Sequence, residues 1–165
     1  MHYFLNIGSN LGNRKLNISR ALRMLEEKFR YFDASHIVES RPWGYVSDNS
    51  YLNIAVRIVS DLDPEDMLKE LHEIEDKLNQ HPHRDETGQY ADREIDIDIM
   101  AVDYLKVNTP ELTIPHKHLA ERRFFLEPMA EIAPFWTHPI THLTCEQMLA
   151  ALPKDPAPTA QKHDA

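Results

Sequence analysis

Residues 93–100 read Arg-Glu-Ile-Asp-Ile-Asp-Ile-Met, so three isoleucines alternate with Asp96 and Asp98. Successive side chains of a β-strand point to opposite faces, which places the isoleucines on one face and Asp96, Asp98 and Met100 on the other. The pattern predicts a strand whose first face packs on a core. Its second face carries two neighbouring carboxylates.

This carboxylate pair requires compensation. Aspartate is depleted in strands, and two carboxylates about 7 Å apart repel by roughly 2 kcal/mol at an effective dielectric near 20. Mg²⁺ would remove the repulsion, because it takes oxygen ligands and is commonly held by one or two carboxylates together with substrate phosphates. A solvated face of an antiparallel strand shows the same alternation and is the more common origin of it. The motif alone leaves both interpretations open.

Length and charge limit the class of protein. The chain has 165 residues, of which 42% are hydrophobic, and this predicts a single domain over residues 1–153. Residues 154–165 are poor in apolar side chains and are predicted to be disordered. The net charge of −9 argues against nucleic acid as a partner, because that affinity depends mainly on lysine and arginine. We expect a monomer.

Cysteine content and hydropathy indicate the compartment. Cys145 is the only cysteine, so it cannot form an internal disulfide. The chain begins without a basic segment followed by an apolar one, and it has no apolar stretch long enough to cross a bilayer. We therefore expect a cytoplasmic protein that does not bind a membrane.

Apolar periodicity predicts the remaining elements. Strands are expected over residues 3–7, 35–40 and 51–60. One helix is expected to follow the first strand, because the apolar residues Ile18, Leu22, Leu25 and Phe29 recur at helical spacing. Another is expected to begin at Asp63-Pro64 and to bury the apolar stripe of Met67, Leu71, Ile74 and Leu78. A capping box at 144–147 predicts a last helix.

The order strand, helix, strand, strand, helix, strand is typical of a ferredoxin-like split βαβ arrangement. This α+β fold packs two main helices on one face of an antiparallel sheet. The other face is then free to carry the active site. The segment 79–92, rich in His, Pro, Asp and Gly, is predicted to be a long mobile loop that leads into the aspartate strand.

Five segments, taken in order, resemble one family. They are Gly8-Ser9-Asn10-Leu11-Gly12, Pro42-Trp43-Gly44, Tyr51-Leu52-Asn53, residues 93–100, and Ile114-Pro115-His116 with Arg122, Phe124 and Pro128 to Pro134 behind it. Over roughly residues 3–152, their order and spacing resemble the 6-hydroxymethyl-7,8-dihydropterin pyrophosphokinases (HPPK). These folate-pathway enzymes move pyrophosphate from ATP to the hydroxymethyl group of a pterin.

The resemblance implies a role for each matching residue. Asp96 and Asp98 would hold two Mg²⁺ ions that bridge the phosphates of ATP, and Arg93 and Arg122 would serve catalysis with them. The other implied ATP contacts are Glu75, Arg84, Thr113 and His116, and the implied pterin contacts are Ser40, Pro42, Trp43, Tyr51, Asn53 and Phe124. Taken singly, these residues have ordinary alternatives as core aromatics, a helix-surface glutamate or exposed arginines.

The match is poorest before the aspartate strand. The family commonly reads Gly-Arg-x-Arg and then Trp-Gly-Pro-Arg there, whereas residues 79–84 read Asn-Gln-His-Pro-His-Arg and residues 90–93 read Tyr-Ala-Asp-Arg. A catalytically weakened pterin- or nucleotide-binding relative is therefore an alternative, as is a phosphotransferase for another heterocyclic alcohol. His81 and His83 are either part of a solvated loop or ligands of a transition metal.

Overall fold

The computed structural model describes residues 1–30, 32–40, 50–79, 92–153 and 161–163, the last three as backbone. The elements of the first half are β1 (His2–Ser9), α1 (Arg14–Lys28), β2 (Phe32–Ala34), β3 (Ile37–Ser40), β4 (Tyr51–Val59), α2 (Pro64–Leu78) and β5 (Asp96–Val102). The second half adds β6 (Val107–Asn108), β7 (Thr113–Ile114), a 3₁₀ turn (Leu119–Glu121), α3 (Arg123–Ile132), α4 (Cys145–Ala151) and β8 (Gln161–His163).

The main sheet confirms the predicted α+β class. Its strands lie in the order β5-β1-β4-β3-β8, and each of these pairs is antiparallel. β2 also pairs with β4, so β2 and β3 together occupy the place of the second predicted strand. The strands and the two long helices follow the order of the split βαβ arrangement.

Helices α1 and α2 cover one face of the sheet. The side chain of Asn13 accepts a hydrogen bond from the Leu16 N–H, which stabilises the start of α1. Pro64 stands at the first position of α2, where no intrahelical N–H is required. The main core forms where the predicted helical stripes meet the sheet, and its fully buried members include Ile18, Leu25, Met67, Leu71 and Ile74.

The opposite face is only partly open. The prediction left this face free, but α3 and α4 cover one end of it and bury Phe4, Met100 and Ala101 in a second core. α3 needs an apolar partner, because its residues Phe125, Leu126, Met129 and Ile132 are buried on one side. A register shift between β1 and β5 leaves Met100 outside the one-to-one pairing, and both Met100 and Ala101 belong to this second core. The predicted capping box is confirmed, with Thr144 and Gln147 bonded reciprocally at the start of α4.

One part of the C-terminal tail differs from the prediction. The backbone of Gln161–His163 pairs with the outer side of β3. Backbone pairing with an edge strand needs no apolar side chain, which is why hydropathy did not indicate it. Among the described residues, no helix has both the length and the apolar character required to cross a membrane.

Candidate functional site

The two aspartates lie on the open face, beside the central strand β1. Gly8 pairs with Asn53 of β4 on one side and with Asp96 of β5 on the other, and Asn6 pairs with Asp98 in the next row. The side chains of Asp96 and Asp98 are 31% and 32% exposed, so both are accessible to a ligand. The predicted strand period thus places both carboxylates at one site.

Gly8 makes room for the side chains of its neighbours. A Cβ atom added at Gly8 would lie 2.9 Å from Asn53 Oδ1 and 3.3 Å from Tyr51 Cδ1. Asn53 is buried, and its Nδ2 donates to Ser40 Oγ at 3.2 Å. The other atom of the amide, Oδ1, is the one that lies over Gly8.

Two clefts meet over the aspartates. The first is lined on the β4 side by Tyr51 and Asn53 and on the α3 side by Phe124 and Arg122. The second lies towards α2 and is lined by residues that include Glu75, Arg93 and Thr113. Four residues line both clefts, namely Asp96, Asp98, His116 and Lys117. A ligand in each cleft would therefore meet the other beside the carboxylates.

Arg93 joins the second cleft to the carboxylate pair. Its Nη1 donates to Asp96 Oδ1 at 2.7 Å, and its Nη2 lies 3.6 Å from Glu75 Oε2. Arg93 is 5% exposed, and its Nε and Nη2 atoms make no hydrogen bond within the described part of the chain. Unsatisfied buried donors are costly, and a bound anion would complete their hydrogen bonding.

Two carboxyl groups that line the clefts have raised pKa values. Burial and the Asp96 charge raise the pKa of Glu75 to about 8, although Arg93 and the Ile97 N–H lower it. Burial and Asp96 likewise raise the pKa of Asp98 well above its ordinary value, despite Arg122 and Arg93. The carboxyl groups thus lack counter-charge, and a divalent cation would supply it.

The donor set fits Mg²⁺. The described residues contain no group of three or more His, Cys, Asp or Glu side chains arranged to hold a metal. Asp96 and Asp98 alone would then supply the protein ligands, and water and phosphate would supply the rest. Magnesium is usually bound in this way, with one or two carboxylates and substrate oxygens.

His116 is a neutral hydrogen-bond donor. Its Nδ1 accepts from the His118 N–H at 3.1 Å, which places the ring proton on Nε2, 4.0 Å from Asp98 Oδ1. Burial, followed by the charges of Arg122, His118 and Lys117, lowers the pKa of His116 to about 3. At neutral pH the ring therefore donates a hydrogen bond without carrying a charge.

Arg122 supplies a fixed positive charge to the first cleft. It precedes α3, and its guanidinium carbon lies 5.1 Å from the ring centre of Phe125 and 5.9 Å from that of Phe124. Contacts of this kind orient an arginine over aromatic faces. Asn6 Nδ2 is 3.5 Å from the Phe124 carbonyl oxygen, so β1 also contacts the start of α3.

Most of the predicted site residues meet here. Ser40 is placed differently, because it contacts Asn53 and does not line the first cleft. The predicted site residues that lie outside the described residues are Pro42, Trp43, His81, His83 and Arg84. Asn6, Gly8 and His118 were missed. The period of β1 offered a signal for Asn6, since it places that amide on the face opposite Leu5 and Ile7.

Glu75 is expected to make stability depend on pH. Its ordinary pKa is 4.5 and its folded pKa is about 8, so the folded chain binds the proton more tightly than the unfolded chain. The resulting stabilisation is complete below the ordinary value and is lost as the pH rises to the folded value. Without Mg²⁺, Glu75→Gln should therefore gain stability relative to the parent chain between pH 5 and 8. Urea denaturation at stepped pH measures this difference.

Glu73→Gln is the matched control, because Glu73 is exposed on the same helix. We expect the stability difference between this variant and the parent to change little over the same pH range. Equal pH profiles for Glu75→Gln and Glu73→Gln would contradict the assignment of the effect to the buried carboxyl group.

Gly8→Ala is expected to disturb the first cleft selectively. The new methyl group would displace the amide oxygen of Asn53 and press on the Tyr51 ring. A misplacement of about 1 Å at a binding group can cost up to roughly 10²-fold in rate. Affinity for a ligand in the first cleft should fall, and affinity for one in the second cleft should hold. Calorimetry with each ligand separately measures both, and an equal loss of the two affinities would contradict the prediction.

Comparison with known proteins identifies relatives. The model of the family described as 7,8-dihydro-6-hydroxymethylpterin-pyrophosphokinase matches residues 4–134. A Porphyromonas gingivalis protein named 2-amino-4-hydroxy-6-hydroxymethyldihydropteridine pyrophosphokinase is 40% identical over 138 residues, which are 82% of this chain and 92% of the relative. The Aquifex aeolicus protein of the same name is 34% identical over 137 residues, which are 83% of each chain.

A solved structure supports the fold. The crystal structure of wild-type Plasmodium falciparum HPPK-DHPS aligns with a TM-score of 0.66 at 15% identity. The alignment covers 90% of this chain but only 40% of that one. At this identity the likeness concerns the fold alone.

Proposed function

This chain belongs to the 7,8-dihydro-6-hydroxymethylpterin-pyrophosphokinase family, and we propose that its reaction takes place where the two clefts meet over Asp96 and Asp98. The chain is a pyrophosphokinase of folate biosynthesis, with ATP as co-substrate. It transfers pyrophosphate to the hydroxymethyl group of 6-hydroxymethyl-7,8-dihydropterin. The meeting of the clefts carries the proposal, because a substrate in each cleft would meet the other beside Asp96 and Asp98.

The first cleft is the proposed pterin slot. Tyr51 and Phe124 line it from opposite sides, and aromatic rings of this kind can hold a flat bicyclic ring between their faces. The Asn53 amide offers an acceptor and a second N–H to the edge of that ring, while Ser40 holds the amide in orientation. Pro42 and Trp43 stay predictions as further wall residues.

The second cleft is the proposed site of the ATP phosphates. Arg93 and Thr113 line it, and His116 lies at the junction with the pterin slot. Arginine is suited to charge-assisted hydrogen bonds with phosphate, and neutral His116 donates one more from Nε2. Arg122 faces the same junction from the first cleft. Arg84 stays a prediction as a further phosphate contact.

Asp96 and Asp98 would hold the Mg²⁺ that the family generally requires, and we propose two ions. Bound magnesium neutralises the triphosphate charge that would otherwise repel the attacking oxygen. In the transfer, the pterin hydroxyl oxygen bonds to the β-phosphorus of ATP and loses its proton, the bond between the α- and β-phosphates breaks, and AMP leaves. The residues of the junction orient the reacting groups and stabilise the charge on the transferred phosphates.

A monomer stays a prediction as the active form.

The reaction is tested directly with the purified chain. Incubation with ATP, Mg²⁺ and the pterin should yield AMP and the pterin diphosphate in equal amounts, as measured by chromatography and ³¹P NMR. Omission of the pterin, or addition of a chelator, should abolish AMP formation. No AMP above the blank would contradict the proposal, and pterin binding without AMP would identify a binding protein instead. Formation of ADP would show transfer of a single phosphoryl group.

A further inference from the structure

The outer side of β5 is bonded to side chains of α2. β5 is the first strand in the sheet order, so its backbone groups that point away from β1 have no strand partner among the described residues. The Ile97 N–H donates to Glu75 Oε2 at 2.8 Å. The Ile95 N–H donates to Asn79 Oδ1 at 3.0 Å, and Asn79 Nδ2 donates back to the Ile95 oxygen at 2.9 Å. The Asn79 amide thus makes the pair of hydrogen bonds with Ile95 that one backbone residue of a neighbouring strand would make.

The same amide also ends α2. Asn79 Nδ2 donates to the Glu75 carbonyl oxygen at 2.9 Å, and the Asn79 backbone N–H donates to that oxygen at 2.8 Å. Glu75 and Asn79 are one helical turn apart, about 6 Å, which is close to the spacing of alternate residues in a strand. The last turn of α2 therefore matches Ile95 and Ile97 in position as well as in hydrogen bonding.

Arg93 lies within this bonded segment. Asn10 holds its backbone from the turn after β1, because the Arg93 N–H donates to Asn10 Oδ1 at 2.8 Å and the Asn10 N–H donates to the Arg93 oxygen at 3.1 Å. Asn79 holds Ile95 from the other side. The two attachments thus lie on either side of Arg93, whose guanidinium lies between Glu75 and Asp96.

We propose that Asn79 is a positioning residue that fixes the backbone of Ile95 and thereby holds Arg93 against Asp96 at the phosphate cleft. This inference rests on the proposed role of the second cleft in binding ATP. Asparagine suits the position because its short side chain both accepts and donates. Aspartate would lose the two donated bonds, and glycine would lose all three side-chain bonds.

The first test is Asn79→Ala. We expect kcat to fall about tenfold and the affinity for a non-hydrolysable ATP analogue with Mg²⁺ to fall by a similar factor, which is the usual effect of losing a group that orients a site residue. The pterin KM should stay constant, since Glu75 and Ile95, the hydrogen-bond partners of Asn79 among the described residues, do not line the first cleft. Amide exchange at Ile95 should accelerate. Wild-type kcat and analogue affinity in Asn79→Ala would overturn the proposal.

Lys77→Gly is the matched control. Lys77 is exposed in the last turn of α2, and glycine there weakens the helix without removing a bond to Ile95. Both variants should melt at a lower temperature, but only Asn79→Ala should lose kcat and analogue affinity. Equal losses in Lys77→Gly would show that helix stability alone accounts for the effect.

A double-mutant cycle with Arg93→Lys tests whether Asn79 acts by positioning Arg93. If Asn79 acts through Arg93, adding Asn79→Ala to Arg93→Lys should lower the analogue affinity and kcat by a smaller factor than adding it to the parent chain. Equal factors in the two backgrounds would overturn the proposal. Asn79→Asp, which keeps the shape and one bond, serves the same cycle if Asn79→Ala fails to fold. A parent chain that binds the analogue but forms no AMP would contradict the proposed reaction and leave the analogue-affinity cycle as the test of Asn79.

Discussion

Replacing Asp98 with alanine is expected to lower kcat by at least about 10³-fold while the chain stays folded, since losing the proposed metal ligand would forfeit several kcal/mol of charge stabilisation in the transition state. Asp98 lies on the open face beside Asp96, and its pKa is raised by burial and by that neighbour. A carboxyl group with a raised folded pKa contributes no stability from its charged form at neutral pH. The melting temperature should therefore stay at or above that of the parent.

Magnesium should stabilise the parent chain but not Asp98→Ala. We expect Mg²⁺ to raise the melting temperature of the parent, because a ligand that binds the folded state stabilises it. The same concentration should have little effect on Asp98→Ala. Asp61→Asn is a suitable control, because Asp61 is exposed and lies outside both clefts. AMP formation at the parent rate in Asp98→Ala would show that Asp98 is not part of the site. Loss of the melting transition in this variant would show that Asp98 is required for folding.

Asn53→Ala is expected to lower kcat/KM for the pterin by about 10²-fold or more, because the polar edge of the pterin would be buried without its partner. Asn53 is 2% exposed and already oriented by Ser40, so water has little access to take the place of its amide. Affinity for the ATP analogue should hold, since Asn53 does not line the second cleft. Steady-state kinetics with the pterin varied measures the first effect, and calorimetry measures the second.

Asn53→Asp distinguishes the contribution of the amide oxygen from that of the amide nitrogen. It keeps an acceptor over Gly8 but removes the donor to Ser40 and to the pterin edge. We expect a loss of the same order as in Asn53→Ala, because a buried carboxylate is also poorly solvated. An unchanged pterin KM in both variants would show that the pterin binds elsewhere.

The strand and helix periods could be read from the sequence because they depend on local geometry. Alternation along residues 95–99 predicted that Asp96 and Asp98 share a face, and the register with β1 places them together. The register itself could not be read from periodicity. Nothing local shows that Gly8 stands between Asn53 and Asp96, or that the pairing with β1 shifts at Met100.

Glu75 shows why site residues are harder to predict than elements. The sequence indicated an exposed position on the helix surface and a position at the nucleotide site equally well. The structure buries it, and its partners Arg93 and Ile97 stand 18 and 22 residues further along the chain. Its spacing of four from buried Leu71 was a usable signal for burial, but only tertiary contact shows which groups it meets.

The hydrogen bonds from Glu75 and Asn79 to β5 also affect the tendency of the protein to self-associate at high concentration. An outer strand with free backbone groups is a template on which another molecule can extend the sheet, and this is a common first step towards fibrils. Here the N–H groups of Ile95 and Ile97 are already engaged by side chains of the same molecule. Intermolecular strand addition at the start of β5 would first have to break those bonds, so resistance to self-association is built into the same contacts that shape the site.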